Sequence, residues 1–292
     1  MIDQAPFAPE VQVRTSASPT RAGDWALVLA AAGIPYRVDE REGAFAVMVA
    51  GADEGAARAA LDGYDAETPA RPAPAAPDAG PSSLGIVMGL VFAGMFLGTG
   101  AVGPGSRWFQ AGAADASAIL HGQWWRAVTA LTLHADILHL VGNIVASAIF
   151  GAAVGRWLGA GAGALTILAC AVPANLLTAA ARRTDFTSIG ASTATFAALG
   201  LVAGLQVVRR LRGDAPRKYA WVPLGAGLGL YAMLGVGAGA DTYAHLFGLG
   251  MGAVVGVTLA FLRARAPRSV AQGLLAALTA AALVGCWSLA LR

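Results

Sequence analysis

Apolar runs of roughly 20 residues, the length needed to cross a hydrocarbon core about 30 Å thick, recur along most of this chain. They cover 84–103, 134–155, 160–181, 191–208, 219–238, 242–262 and 269–290. Only 13% of the 292 residues are charged, against 57% hydrophobic, too little charge to cover the surface of a soluble domain of this length. A polytopic, all-α membrane protein is therefore expected. The opening MIDQAPFAPE has no basic segment followed by an apolar one, so no cleaved signal peptide is expected. Cys170 and Cys286 both fall inside apolar runs and read as small hydrophobes; they predict neither a disulfide framework nor a zinc site.

Net charge is +3, and its placement is more informative than its size. Arg209, Arg210, Arg212, Arg217 and Lys218 lie between the fourth and fifth runs, Arg263, Arg265 and Arg268 between the sixth and seventh, and Arg156 between the second and third. The alternate loops hold Arg107 and Arg126, then Arg182 and Arg183 offset by Asp185. The positive-inside rule then puts the N-terminus in the cytoplasm and the C-terminus outside, in what is expected to be a bacterial inner membrane. These bases report orientation, and nucleic acid is not an expected partner.

Residues 1–66 have another character. VQVRT predicts a short strand and TRAGDWALVLAAAGIP an amphipathic helix stopped by Gly33 and Pro35. YRVDERE and AFAVMVA predict a strand pair turning at Glu42 and Gly43, and ADEGAARAALDGY a helix with Asp53 near its cap. This order suggests a small soluble α+β module, a sheet with helices on one face. It has no His, Cys or glycine-rich phosphate loop, so it reads as a regulatory or interaction module whose ligand is unknown. Residues 67–83, ETPARPAPAAPDAGPSS, form a Pro/Ala linker expected to act as a semi-rigid tether. Between the first and second runs, 104–133 is too polar to span; Trp108, Phe109, Trp124, Trp125, Arg107 and Arg126 suit a segment lying in the headgroup layer on the outer side.

Polar groups inside spanning helices are costly and mark function more often than not. In LTLHADILHLVGNIVASAIFGAAVG, spacing of four puts His139, Asn143, Ser147, Gly151 and Gly155 on one face. His134, five residues before His139, is rotated from it by about 140° on an ideal helix. It reads as fixing either the outer loop or an ordered water. In DTYAHLFGLGMGAVVG, Ala244, Gly248 and Gly252 make a close-approach face with His245 beside it. With the N-terminus inside, the second, fourth and sixth runs all start at the outer side. His139, Asn143, Ser192 and His245 then share one depth, which scattered packing residues would not produce. Acyl transfer uses such a set: Ser192 as nucleophile, His245 as base, and the His139/Asn143 face donating to the oxyanion. No carboxylate stands at that depth, since Asp241 is nearer the surface, so a dyad is expected rather than a triad. No HExxH or Cys cluster occurs, and no metal or other cofactor is expected.

WRAVTALTLHADILHLVGN, GASTATFA and AHLFGLGMG resemble, in order and spacing, the three signatures of rhomboid intramembrane serine proteases. The resemblance extends over 84–262 and implies a six-helix core, with 263–292 adding a basic loop and a seventh C-terminal helix. It implies that Ser192, in the pattern from Gly190 to Ala197, is the nucleophile, and that His245, before Gly248 and Gly252, is the general base. It implies an oxyanion hole of His139, Asn143 and the Ser192 amide, with His134 opening that motif. Trp125 and Arg126 match a Trp-Arg pair of the first outer loop. The implied partners are the lipid bilayer and transmembrane protein substrates with helix-destabilising residues and a small residue before the scissile bond. Thr193 departs from the family pattern, where Gly follows the serine, and is expected to shift the backbone at the oxyanion site or narrow substrate entry. The seventh run holds no strong polar group apart from Ser288 and is expected to serve packing or topology. The competing reading is a catalytically inactive rhomboid-like adaptor, expected to lack Ser or His; a transporter lacks the required pathway of ionisable groups.

Overall fold

A computed structural model describes residues 9–41, 43–68, 82–183, 186–212, 225 and 241–292. The fifth apolar run, 219–238, lies outside the described residues apart from Gly225, and Glu42 of the expected turn lies outside them too. The chain divides into two compact units, 1–75 and 76–292.

In the first unit, β1 (Glu10–Ser16), α1 (Pro19–Ala31), β2 (Tyr36–Arg41), β3 (Ala44–Ala50) and α2 (Glu54–Glu67) follow in order. The strands form an antiparallel sheet in the order β1-β3-β2, with an irregularity between Gln12 and Arg14. Val47 and Val49 project from one face and meet Val13, Trp25, Leu29, Ala57 and Leu61 in an apolar core. Ser18 caps α1 by accepting the Arg21 amide at 3.3 Å, with Pro19 in the first turn where a missing N–H costs nothing. Asp53 ends a 3-10 turn, Gly51–Asp53, and stands at the N-cap of α2 as expected, although its side chain makes no cap bond. Asp65 ties the module together, bonded by Trp25 Nε1 at 2.9 Å, by Arg14 Nε at 3.2 Å and by Arg21. Burial would raise the Asp65 carboxyl, but the bonds from Trp25 and Arg14 and the charges of Arg21 and Arg14 hold it below the ordinary carboxylate range.

The second unit is helical and is a polytopic membrane protein. Its long helices are α3 (Leu84–Thr99), α7 (Ile137–Leu158), α8 (Ala160–Arg182), α9 (Ser192–Leu211), α10 (Thr242–Phe261) and α11 (Ser269–Ala290). Five of these, α7 to α11, are long and apolar enough to cross a membrane. The first run is shorter than expected: α3 has 16 residues and stops at Gly100, whose φ of 70° only glycine adopts without strain. Between α3 and α7 the chain forms α4 (Arg107–Gly112), β4 (Ala114–Asp115), α5 (Ala116–Leu120), α6 (Arg126–Thr129) and a 3-10 turn, Ala130–Thr132. Its second half is more deeply placed than a segment resting on a surface, with Thr129, Ala130, Leu131, Thr132 and Leu133 all buried. β4 pairs with β5 (Thr187–Ser188), which leads into α9.

The second run also starts later than its apolarity suggested. Asp136 accepts the His139 amide at 2.8 Å and caps α7, so the helix begins at Ile137 and His134 sits in the turn before it. The ideal-helix rotation between His134 and His139 therefore does not apply. Their rings meet edge to face, with centroids 5.2 Å apart.

Candidate active site

Two helices packed at backbone contact bring the candidate residues together. On α10, a Cβ added to Gly248 would lie 2.6 Å from the Thr193 carbonyl oxygen; one on Gly252 or Gly256 would overlap the Ala197 or Leu201 carbonyl oxygen. On α9, Gly200 and Gly204 accept α10 in the same way, against the carbonyls of Leu249 and Ala253. Glycines on both helices thus interlock, which is how helices associate in lipid, where apolar burial gives no net drive. The spacing on α10 reveals Gly248 and Gly252; Gly256, Gly200 and Gly204 continue the same four-residue pattern and extend the contact beyond the sequence reading. Ala244 and Ala197 are both fully buried in this seam.

At the end where both helices begin, the seam places His245 Nε2 2.8 Å from Ser192 Oγ. Ser192 is the first residue of α9, so its amide belongs to the first turn, which lacks intrahelical partners. His245 lies one turn inside α10, whose start is capped by Asp241 Oδ1 accepting the Ala244 amide at 3.0 Å. Asp241 is buried, and its Oδ1 bonds the helix end rather than the histidine. His245 Nδ1 has no hydrogen-bond partner among the described residues. Phe196, one turn after Ser192 on the same face, stacks on the His245 ring with centroids 4.5 Å apart and planes 24° from parallel. Phe196 escaped the sequence reading; its i+4 relation to Ser192 is the signal that could have found it.

Gly190 admits the third helix. Its φ is 127°, its amide donates to the Ala130 carbonyl at 2.9 Å, and a Cβ there would lie 2.6 Å from His139 Nε2 and 3.8 Å from Ser192 Oγ. Glycine therefore does two things at once: it holds a backbone conformation closed to other residues, and it lets the His139 imidazole come up beside the serine. Asn143 is buried on the same face of α7, with Nδ2 donating to the His139 carbonyl at 3.0 Å. Ser147, one turn further, shares a 3.2 Å hydrogen bond with Thr195 Oγ1 and joins α7 to α9. His134 is fully buried beside His139, and neither of its ring nitrogens has a hydrogen-bond partner among the described residues.

Trp125 and Arg126 stand apart from this group. Trp125 is the N-cap of α6, and Arg126 holds the segment between α3 and α7 together through Gln123 Oε1 at 2.6 Å and the carbonyls of Ala113 and Gln110 at 3.0 and 2.7 Å. Thr193, the departure from pattern, is buried with its side chain toward α10, where Gly248 leaves room: its Cγ2 would stand 3.4 Å from a Cβ at that glycine. No group of three or more His, Cys, Asp or Glu is placed to hold a metal ion among the described residues. The chemistry available is that of a hydroxyl hydrogen-bonded to an imidazole, with a second imidazole and a helix amide close by.

A model of the rhomboid domain matches residues 121–261, from just after α5 to the end of α10. The chain is 29% identical over 132 residues to YdcA of Bacillus subtilis, which carries a provisional rhomboid-protease name; the match covers 45% of this chain and 65% of the relative. It is 38% identical over 89 residues to the rhomboid protease GluP of the same organism, covering 30% of this chain and 17% of the relative. Against Rhomboid-like protease 3 of Toxoplasma gondii it is 35% identical over 139 residues, covering 47% of this chain and 52% of the relative. The chain thus spans less than two thirds of the length of each. Residues 121–261 are thus similar to the rhomboid domain, and the three sequence signatures within that match converge on one place in a helical membrane protein.

Proposed function

We propose that this chain is an intramembrane serine endopeptidase that cleaves transmembrane segments of membrane-anchored proteins, using Ser192 and His245 as a dyad. The observation that carries the reading is the 2.8 Å hydrogen bond between Ser192 Oγ and His245 Nε2, made between two helices that glycines hold at contact distance. A serine hydroxyl is a weak nucleophile until a base takes its proton, and a neutral imidazole within hydrogen-bond reach is such a base.

Ser192 Oγ attacks the scissile carbonyl carbon as His245 Nε2 takes the hydroxyl proton. The resulting oxyanion is met by the Ser192 amide at the positive end of α9 and by donors of the His139 ring and the Asn143 carboxamide. Collapse breaks the C–N bond while His245 protonates the departing amine, leaving an acyl group on Ser192. Water, deprotonated by His245, then attacks that ester, releases the carboxylic acid and returns the proton to Ser192. Cleavage of a single-pass membrane protein co-reconstituted in liposomes tests the reading, with the cut expected within or beside the apolar segment. A chain that leaves such substrates intact, or that cuts equally well without Ser192, defeats it.

The division proposed with this function is a cytoplasmic module over 1–66, a linker over 67–83, the protease core over 84–262 and an additional basic loop and helix over 263–292. The charge distribution orients it with the N-terminus inside and Ser192 opening toward the outer face. Single cysteines at Ser117, which is exposed, and at Ala264 or Asp24 check this: a membrane-impermeant thiol reagent added outside should label only the first. Labelling of the latter two alone reverses the topology.

A further inference from the structure

Resting on the protease reading above, we propose that α11 is a positioning element of the Ser192 site, and that the Trp287 indole N–H is the group through which it acts. The helix lies beyond the family match, which ends at residue 261. It is also held unusually lightly. Only 6% of its most apolar stretch is buried, against 33–56% in the other four membrane-length helices. A crevice of about 280 Å³ remains between α3, α8 and the middle of α11, bordered by Thr132 and by Ala194 of α9. The helix packs along α8, and directed hydrogen bonds stand near its two ends.

At the start of α11, Gln272 closes the tight turn between α7 and α8. Its Nε2 donates to the Leu158 carbonyl at 2.7 Å and its Oε1 accepts the Ala162 amide at 2.9 Å. These are a helix-end carbonyl and a helix-start amide that have no intrahelical partner, and a single carboxamide satisfies both. Gly161 lets the α11 backbone come this close, since a Cβ there would overlap the Gln272 carbonyl. This end fixes where the helix stands.

At the other end, Trp287 reaches the loop that supports the serine. Its Nε1 donates to Thr132 Oγ1 at 3.1 Å, and Thr132 Oγ1 donates in turn to the Thr129 carbonyl at 2.8 Å. The ring packs against Gly112, where a Cβ would overlap it, and meets Trp108 edge to face at 5.5 Å. The hydroxyl of Thr132 therefore has its donor and its acceptor role filled, and the turn 129–132 is pinned from the α11 side. That turn supplies the Ala130 carbonyl that accepts the Gly190 amide at 2.9 Å, and it runs directly into His134. Gly190 in turn sets the approach of His139 to Ser192. The link from Trp287 to the serine passes through buried, close-packed backbone, where a shift at one end is not absorbed on the way.

Trp287→Phe keeps the ring against Gly112 and Trp108 and removes only the N–H, whereas Thr132→Val removes its partner. Two readouts on the full chain in bilayers separate this proposal from the protease reading. Hydrogen exchange reports the mechanical link whether or not the chain cleaves anything: in Trp287→Phe, exchange should rise in 129–134 and in 186–191, with α8 unchanged. Substrate cleavage reports the consequence: kcat should fall about 3- to 10-fold with KM unchanged, the range expected for one lost hydrogen bond. The Trp287→Phe/Thr132→Val double variant should be no slower than the slower single one. Unchanged exchange in 186–191, an unaltered kcat in an active enzyme, or fully additive double-variant effects would overturn the role of Trp287. Absent cleavage in the parent chain, with the exchange response present, counts against the protease reading and leaves the link standing.

Discussion

Replacing Ser192 by alanine is expected to reduce cleavage of a transmembrane substrate in liposomes to background, a loss of at least about 10³-fold, and His245→Ala to lower it by about 10²- to 10⁴-fold. The two losses arise differently. Without Ser192 there is no atom to form the acyl intermediate. Without His245 the hydroxyl remains, but its proton has no acceptor at 2.8 Å. The double variant should therefore be no worse than Ser192→Ala alone, because groups that act as one unit do not lose additively. Phe196 makes a useful contrast. It stacks on the His245 ring without reaching the reacting atoms, so its loss would loosen the imidazole and leave both chemical groups present.

The second large effect concerns the helix seam. Gly252→Leu introduces a side chain whose first carbon already overlaps the Ala197 carbonyl oxygen, a backbone atom with no freedom to move aside. The helices α9 and α10 must separate, at a cost of about 3 kcal/mol or more, at the upper end of overpacking effects. Because Ser192 stands on one helix and His245 on the other, displacement of about 1 Å is enough to lower the rate about 10²-fold. Gly250→Leu, two residues away on the exposed side of the same helix with nothing within 4 Å of its would-be Cβ, should leave both properties near those of the parent. Thermal unfolding in detergent and liposome cleavage, measured on both variants, separate the seam from a general intolerance of leucine in α10.

The grouping of these residues was legible because they lie near helix starts, where spacing and alternating helix direction suggest a shared depth. Ser192, His139 and His245 fall on three helices that begin on the same side, and small residues at four-residue spacing mark where two of those helices meet. The misreadings trace to local chemistry that apolar runs do not record. Asp136 decides where α7 begins and so removes His134 from the helix; a run of apolar residues cannot show that, but the Asp three residues before His139 could have. Gly100 ends α3 early for a similar reason. The direction of Thr193 toward Gly248 depends on how α9 and α10 are rotated, which residue type alone does not record.

Gln272 and Trp287 illustrate a different limit. The seventh run reads as featureless because both residues act on backbone or hydroxyl groups far away in sequence: Leu158 and Ala162 for one, Thr132 for the other. Partners of this kind carry no residue-type signature, and only the fold brings them together. In the N-terminal module the strand and helix order followed directly from alternation and turn residues, while the Asp65 cluster, joining β1, α1 and α2, did not.

Covalent labelling of the serine is the most direct test of the central claim. A fluorophosphonate probe applied to the parent chain in bilayers, followed by peptide mass spectrometry, should place the adduct on Ser192, with labelling lost in Ser192→Ala and strongly slowed in His245→Ala. An adduct on another residue, or labelling of Ser192 at the same rate without His245, would contradict a nucleophile activated by that imidazole.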